Sequence, residues 1–431
     1  MAGISEALVK LWGLTVGAVA WDHDRGYAAF EFDPQFVRSG LDISPLEMPL
    51  SEAQAGGTVF QFRTLPTDTF MGLPGLLADC LPDKFGNRVI DAWLARQGRT
   101  TDGFGPVERL CYMGTRGMGA LEFEPAIDRG FEGSVPVEVG ELVKLAGQVL
   151  QEREGMQTSL EESDAIADIF RVGTSAGGAR PKAVIAIDDD TGEIRSGQVP
   201  VPDGFGYWIL KFDGVKDESL GDPEGYGRIE YAYSEMAAAA GIKMTECRLL
   251  EENGRAHFMT RRFDRTAKGD KIHMQSLCGI AHFDYNAAGQ YGYEQAFMVM
   301  RKLHLPYPDV EQLFRRMVFN ILARNQDDHT KNIAFLMDRD AEWRLSPAFD
   351  VIYAHNPGGQ WTNRHQMTVN GKRDQFTRND LLAVSEEAGI KKADRILEHI
   401  ADIIMDWPRY ARDAGVPEDR IEKIGREHRR L

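Results

Sequence analysis

With 431 residues, 43% of them hydrophobic and 27% charged, the chain has the composition of a soluble globular protein and the length for two or three packed domains. A count of 50 Lys and Arg against 66 Asp and Glu leaves a net charge of −16, the wrong sign for a protein that grips nucleic-acid backbones over its whole surface. No stretch has the apolar length of a membrane span, the start of the chain lacks the apolar run of a signal peptide, and Cys80, Cys111, Cys247 and Cys278, without a Cys-x-x-Cys pair, point to a reduced, cytoplasmic setting.

In chain order, Leu14 to Trp21 and Tyr27 to Phe32 flank the turn Asp22-His23-Asp24-Arg25-Gly26 and predict a hairpin, with Val59 to Arg63 as a further strand. Leu76 to Cys80 and Arg88 to Gln97 have helical character, the latter with Val89, Ile90, Trp93 and Leu94 on one face. Gly98 to Gly119, rich in Gly, Thr and Arg, is expected to loop over the surface, and Pro136 to Glu154 suits a helix. Ala183 to Ile187 and Tyr207 to Phe212 read as strands separated by the acidic turn Asp188 to Gly192 and a longer loop. After residue 225 the pattern turns helical. Glu230 to Ala240 ends at Gly241, a C-cap signal; Leu313, Met317, Val318, Ile321 and Leu322 mark one helix stripe, and Asp394 to Trp407 another that Pro408 should end.

Four motifs carry chemistry. Val172-Gly173-Thr174-Ser175-Ala176-Gly177-Gly178-Ala179-Arg180-Pro181-Lys182 can cradle phosphates on successive backbone N–H groups, or serve as a flexible connector. It is not a Walker A loop, since Ala179 stands where Lys is required. Lys211, in Tyr207-Trp208-Ile209-Leu210-Lys211-Phe212, sits where a strand lysine would meet nucleotide phosphates, with Glu230 or its competitor Glu235 as ion-pair partner. Phe258 to Arg265 reads either as an extended linker offering backbone groups to an adenine ring or as a strand with salt-bridged arginines. Asn325-Gln326-Asp327-Asp328-His329-Thr330-Lys331-Asn332 places an acid and an amide five residues apart, with Phe349-Asp350-Val351 following. That spacing equals the catalytic Asp to metal-binding Asn interval of a protein-kinase catalytic loop; taken alone, the octet is equally a capped loop. No zinc-ligand spacing appears among the histidines, and His329 reads as support within its loop.

In their order these pieces resemble the HipA family, the toxin serine/threonine kinases of type II toxin–antitoxin systems. The resemblance runs over roughly residues 4 to 410. Gly72-Leu73-Pro74-Gly75-Leu76-Leu77-Ala78-Asp79 and Leu81-Pro82-Asp83 look like the family's N-terminal module, and Asn-x-Asp-x-His-x-Lys-Asn and Arg-Phe-Asp-Arg are the most specific parts. It implies an α+β, two-lobed, phosphatidylinositol-kinase-like fold with a strand-rich N-terminal half and an all-helical C-terminal lobe. The expected division is an N-terminal module over 1–105, a nucleotide-binding lobe over 106–260 and a helical lobe over 261–431. By position Asp327 matches the catalytic base, and Asn332 and Asp350 match Mg²⁺ ligands. The ATP-binding set would comprise Ser175, Ala176, Gly177, Gly178, Lys182, Lys211, Glu230, Thr260, Arg261, Arg262, Phe263, His329 and Lys331. Ser175 matches the serine that family members autophosphorylate, where a dianion would compete with ATP phosphates.

The resemblance further implies an aminoacyl-tRNA synthetase as protein substrate and a HipB-like helix-turn-helix antitoxin that supplies the DNA contact. Two departures mark a divergent branch: Arg180-Pro181 stands where founding members have Gln-Glu, and His273 to Cys278 differs from their Gln-Glu-Asp type. The competing readings are a catalytically weak binding module or corepressor acting through such a partner, and a small-molecule kinase on a related fold.

Overall fold

The computed structural model describes residues 4–54, 57–96, 98, 104–127, 133–151, 173, 180–215 and 225–430. The fold is α+β, and the chain divides into two compact units: Met1–Ser44, Met48–Gly227 and Arg248–Met274 form one, and Pro45–Glu47, Arg228–Cys247 and Gln275–Leu431 the other.

The first unit opens with a sheet of β1 (Glu6–Leu11), β2 (Leu14–Asp22), β3 (Tyr27–Phe32), β4 (Val59–Phe60) and β5 (Leu121–Glu124), in the order β4-β3-β2-β1-β5. The predicted hairpin is β2–β3, antiparallel from Gly17↔Phe32 to Asp22↔Tyr27. Its turn closes because Asp22 Oδ1 accepts from the N–H groups of Asp24 and Arg25, both at 3.1 Å, and Gly26 takes φ 73°. Gly17 lies so close to β3 that a Cβ would stand 2.1 Å from the Glu31 carbonyl.

The surface loop expected between Gly98 and Gly119 is instead broken by a helix, Pro106–Met113, every residue of which is buried. Proline at its first turn starts it, and Val107, Leu110, Cys111 and Met113 fill the core. The Gly-rich flanks and the buried polar pair Glu108 and Arg109 hid that pattern; Arg109 is accommodated by Asn87 Oδ1 at 2.5 Å. The helix predicted over 136–154 is seen as Val139–Gln151 among the described residues.

A second sheet in this unit has the order β7-β6-β8-β10-β9, from β6 (Lys182–Asp188), β7 (Ile194–Ser196), β8 (Phe205–Lys211), β9 (Cys247–Glu252) and β10 (Arg255–Arg261). β6 is buried over six of its seven residues, as a central apolar strand should be. The loop expected after the acidic turn contains β7, which pairs back on β6 once Asp188 Oδ1 has capped the N–H groups of Asp190 and Thr191. None of the four cysteines forms a disulfide.

The second unit packs the helices Tyr293–Lys302, Tyr307–Leu322, Arg378–Ala388 and Ala393–Met405 around Leu313, Met317, Phe319, Leu397 and Ile400. The helix that begins at Tyr226 ends at Ala239, and Gly241 at φ 76° supplies the expected left-handed cap. Two expectations are corrected. The C-terminal part is not all helical: β11 (His273–Ser276) precedes a short helix, and β12 (Ala334–Met337) with β13 (Trp343–Leu345) forms an antiparallel hairpin. Its turn is made by Asp338, whose Oδ1 accepts from Asp340 and Glu342 N–H. Pro408 also does more than end a helix: it sits in the first turn of the next one, Trp407–Asp413, where its missing N–H costs nothing. No helix among the described residues is long and apolar enough to cross a membrane.

Candidate active site

The helix Tyr307–Leu322 delivers the chain to Arg324, which turns it at φ 59°. Asn325 then bonds back to the helix and sideways: its N–H reaches Asn320 O at 2.9 Å, and its Nδ2 reaches Asn320 Oδ1 at 3.0 Å and the Asp350 carbonyl at 3.3 Å. Gln326 N–H pairs with Ala354 O at 3.1 Å. The octet and the Phe349-Asp350-Val351 triplet, 25 residues apart at Asn325 and Asp350, are therefore laced together by the Asn325 side-chain amide on the Asp350 carbonyl.

Asp327 and Asn332 close the loop on each other. The Asn332 Nδ2 donates to the Asp327 carbonyl at 2.8 Å and His329 N–H donates to the same oxygen at 3.0 Å. With the Asn332 nitrogen committed to that carbonyl, the amide oxygen remains as its acceptor. Asn332 and Asp350 line one recess together with Asn325 and Asp328. Asp350 takes φ 53°, a left-handed backbone that Asp tolerates better than most residues. A carboxylate and an amide among the residues lining one recess offer hard oxygen donors of the type Mg²⁺ takes when phosphates complete its shell.

The Asp327 side chain is 40% exposed, yet desolvation by its surroundings raises its carboxyl above the ordinary value. His329 and the Trp361 Nε1–H, which donates to Asp327 Oδ1, pull it down, and the neighbouring Asp350 and Asp328 push it up again. A carboxyl whose proton affinity is raised chiefly by desolvation, and that still accepts a hydrogen bond, suits a proton acceptor. His329 lies at 5.5 Å from the Tyr285 ring and 6.3 Å from Trp361, and Lys331 Nζ stands 4.8 Å over Tyr285.

Asp328 is different. Its side chain is 1% exposed and accepts from Tyr293 O–H at 3.1 Å, His365 Nδ1 at 2.9 Å and Gln366 N–H at 2.8 Å. It anchors the loop from below. Sequence reasoning missed Trp361, His365 and Gln366 altogether. They lie in the Pro- and Gly-rich stretch after Asp350, where no spacing rule applies; a tryptophan inside Asn356-Pro357-Gly358-Gly359-Gln360 and its continuation was the one available signal.

The remaining candidates sit in the first unit, apart from Glu230. Ser175, Ala176, Gly177 and Gly178 lie outside the described residues. Lys182 and Lys211 are direct partners in the β6–β8 register, so both side chains leave the same face of the sheet. Lys182 Nζ is buried 3.5 Å from Asp83 Oδ2, and Lys211 Nζ stands 5.7 Å over Phe258, its partner on β10. Thr260 and Arg261 belong to β10, opposite Ile209 and Trp208. Arg262 is buried and turned inward: its Nε and Nη2 donate to Asp264 at 2.9 and 2.7 Å. Arg265 joins the same carboxylate at 2.8 Å and reaches the carbonyls of Gly119 and Gly117, while Gly119 N–H also donates to Asp264. The Arg-Phe-Asp-Arg motif thus ties β10 to the segment beyond helix Pro106–Met113, and Phe263 is half-buried between its polar neighbours. Glu230 is 4% exposed, in the second unit, and Glu235 is exposed.

Two of the curated relatives that the chain matches illustrate a shared name, "Putative kinase". Y4mE of Sinorhizobium fredii is 28% identical over 126 residues, 27% of this chain and 30% of the relative. The other, from Haemophilus influenzae, is 25% identical over 196 residues, 42% of this chain and 52% of the relative. The chain therefore spans about half or less of the curated relatives it matches. Among solved structures it is similar to HipA from the Shewanella oneidensis MR-1 toxin–antitoxin complex of HipA, HipB and operator DNA. The TM-score is 0.68 at 15% identity, covering 97% of this chain and 95% of that one, which shows a shared fold. The HipA N-terminal domain model matches residues 7–124 and the HipA-like C-terminal domain model residues 174–425, and on that match the chain belongs to the HipA family.

Proposed function

We propose that this chain is an ATP–Mg²⁺-dependent serine/threonine protein kinase and the toxin of a type II toxin–antitoxin module. The observation that carries the reading is the convergence of Asp327, Asn332 and Asp350: base candidate and amide close one loop, and amide and second acid line one recess. In this reading the Asp327 carboxylate accepts the proton of a substrate hydroxyl as its oxygen attacks phosphorus. Mg²⁺ held by Asn332 and Asp350 would neutralise phosphate charge. Lys211 is assigned to the phosphates, with Lys182, Glu230, Thr260, Arg261, Arg262, Phe263, His329 and Lys331 completing the nucleotide site. For Arg262 this assignment rests on its backbone, since its guanidinium is committed to Asp264.

The names of the curated relatives support kinase activity. Ser175 is assigned as the autophosphorylation site, an aminoacyl-tRNA synthetase as the class of protein substrate, and 1–105, 106–260 and 261–431 as the functional divisions. A HipB-like helix-turn-helix partner is assigned as the DNA-contacting component, in line with the net charge of −16 and with the company HipA keeps in the Shewanella oneidensis complex. Calorimetry with Mg-ATP and mass spectrometry of Ser175 after incubation test the reading: binding and phosphate on Ser175 support it, and absence of both removes it.

One observation favours the alternative of a weakly active binding module. The Trp361 N–H occupies an oxygen of the very carboxylate that must accept a proton. Binding of a helix-turn-helix partner without any Mg-ATP binding would establish that alternative.

A further inference from the structure

The segment leaving the last helix, Glu418–Glu427, is sewn to the loop that carries Asp327. Arg429 N–H donates to Leu322 O at 2.9 Å, at the end of the helix that delivers the loop. Arg324 Nε donates to Glu427 O at 2.7 Å. The Tyr233 hydroxyl donates to Ala323 O at 2.7 Å and so accepts from His428 Nε2, 2.9 Å away. The Glu427 carboxylate takes Tyr353 O–H and, at 2.6 Å, His355 Nδ1, both just beyond Asp350.

The Arg429 side chain, 8% exposed, goes further in. It lies 5.0 Å over the Phe376 ring, donates through Nη2 to Asp374, and places Nη1 3.1 Å from His365 Nε2. The opposite nitrogen of that imidazole, Nδ1, is 2.9 Å from Asp328 Oδ2.

We propose that Arg429 is a positioning residue for the Asp327 carboxylate, holding the His365 imidazole from its Nε2 side against the anchor Asp328. A guanidinium has donors only. Its hydrogen bond therefore requires a lone pair on His365 Nε2, which places the single proton of neutral imidazole on Nδ1, where it donates to Asp328. In the other tautomer Nε2–H would face Arg429 donors and the Nδ1 lone pair would face a carboxylate, so both contacts would turn repulsive. With His365 set, Asp328 keeps three donors on its two oxygens, and the peptide from which Asp327 projects is held. The arrangement uses the logic of an acid–histidine pair, in which the partner's hydrogen bond chooses the tautomer. Its catalytic half rests on the phosphotransfer reading above; its geometric half does not.

The full chain, labelled with ¹⁵N-histidine, gives the tautomer directly from long-range proton–nitrogen spectra, with His365→Asn identifying the signal by difference. The expected result is Nδ1–H with a hydrogen-bonded Nε2 lone pair in the wild type, and in Arg429→Ala, where Asp328 still accepts from Nδ1, a downfield shift of the Nε2 nitrogen as that lone pair loses its donor. Steady-state phosphotransfer, normalised to the folded fraction seen by calorimetry, gives the second readout. Arg429→Ala should lower kcat by about 10- to 100-fold, the range typical for residues that orient a functional group through another. The KM for ATP should stay within about twofold, since ground-state binding is untouched. Arg429→Lys should retain part of the activity, and millimolar guanidinium should rescue Arg429→Ala. In His365→Asn, whose amide can still donate to Asp328, adding Arg429→Ala should change kcat no further. Nε2–H in the wild type, or folded Arg429→Ala with kcat within about twofold of wild type, overturns the proposal. A wild-type chain that transfers no phosphate contradicts the kinase reading instead, while the Nε2 shift still decides whether Arg429 holds His365.

Discussion

Asp327 and Asp328 are neighbours in sequence with opposite surroundings: side chains 40% and 1% exposed. The exposed one is available for chemistry; the buried one holds the loop. Replacing Asp328 by Ala leaves the Tyr293 hydroxyl, the His365 imidazole and the Gln366 N–H without an acceptor in a buried site. The expected loss is about 3 kcal/mol of unfolding free energy, read from urea denaturation, with Asp328→Asn losing less because it keeps an acceptor oxygen. An equal loss for both substitutions would contradict the anchoring role. The Asp327–Asn332 pairing was legible in the sequence because both residues lie in one loop, where spacing alone brings them together. Trp361 and His365, 34 and 37 residues from their partners, were not. Their contacts depend on how the stretch after Asp350 folds back, and nothing local encodes that.

At the scale of elements, the Arg-Phe-Asp-Arg motif shows how one signal can be read two ways. Its charge suggested a linker beside a nucleotide, with a salt-bridged strand as the other option. The observed side chains make a buried cluster in which Arg262, Arg265 and Gly119 N–H all converge on Asp264. Burial pushes that carboxyl up, but the two guanidiniums and the amide outweigh it and hold it well below the usual carboxylate range. Asp264→Ala would leave two guanidiniums in the interior without their counter-charge. The expected cost is about 3–5 kcal/mol, measured by denaturant unfolding; a loss under about 1 kcal/mol, as for an exposed pair, would refute the latch. The β2–β3 hairpin was legible from two apolar runs on either side of the Asp22–Gly26 turn. The helix Pro106–Met113 was not, since glycines on both sides and a buried Glu108–Arg109 pair erased its amphipathic stripe. The β12–β13 hairpin was missed for a related reason: strands of four and three residues are too short to show a period.

Over the whole molecule, the buried histidines set the response to acid. Desolvation lowers His273, His282 and His428 to about 4 from the ordinary 6.5. The unfolded chain therefore binds protons that the folded chain refuses, and stability present above about pH 6.5 falls as pH drops toward 4. For fully buried His273 alone the loss is about 3 kcal/mol. Asp264, depressed in the folded state, adds loss in the same direction at lower pH. The melting temperature should fall steadily between pH 7 and pH 4.5, and His273→Gln should flatten that slope; a melting temperature flat over this range would contradict the burial assigned to these rings.

In the proposed reaction Asp327 takes a proton during phosphoryl transfer. The most direct test of that step incubates purified, phosphatase-treated chain with Mg²⁺ and radiolabelled ATP, wild type beside Asp327→Asn, with Mg-ATP affinity measured in parallel. Wild type should acquire label, and Asp327→Asn should acquire at least about 100-fold less while still binding Mg-ATP. Equal labelling of the two chains, or no label on a wild type that binds nucleotide, would contradict that role for Asp327.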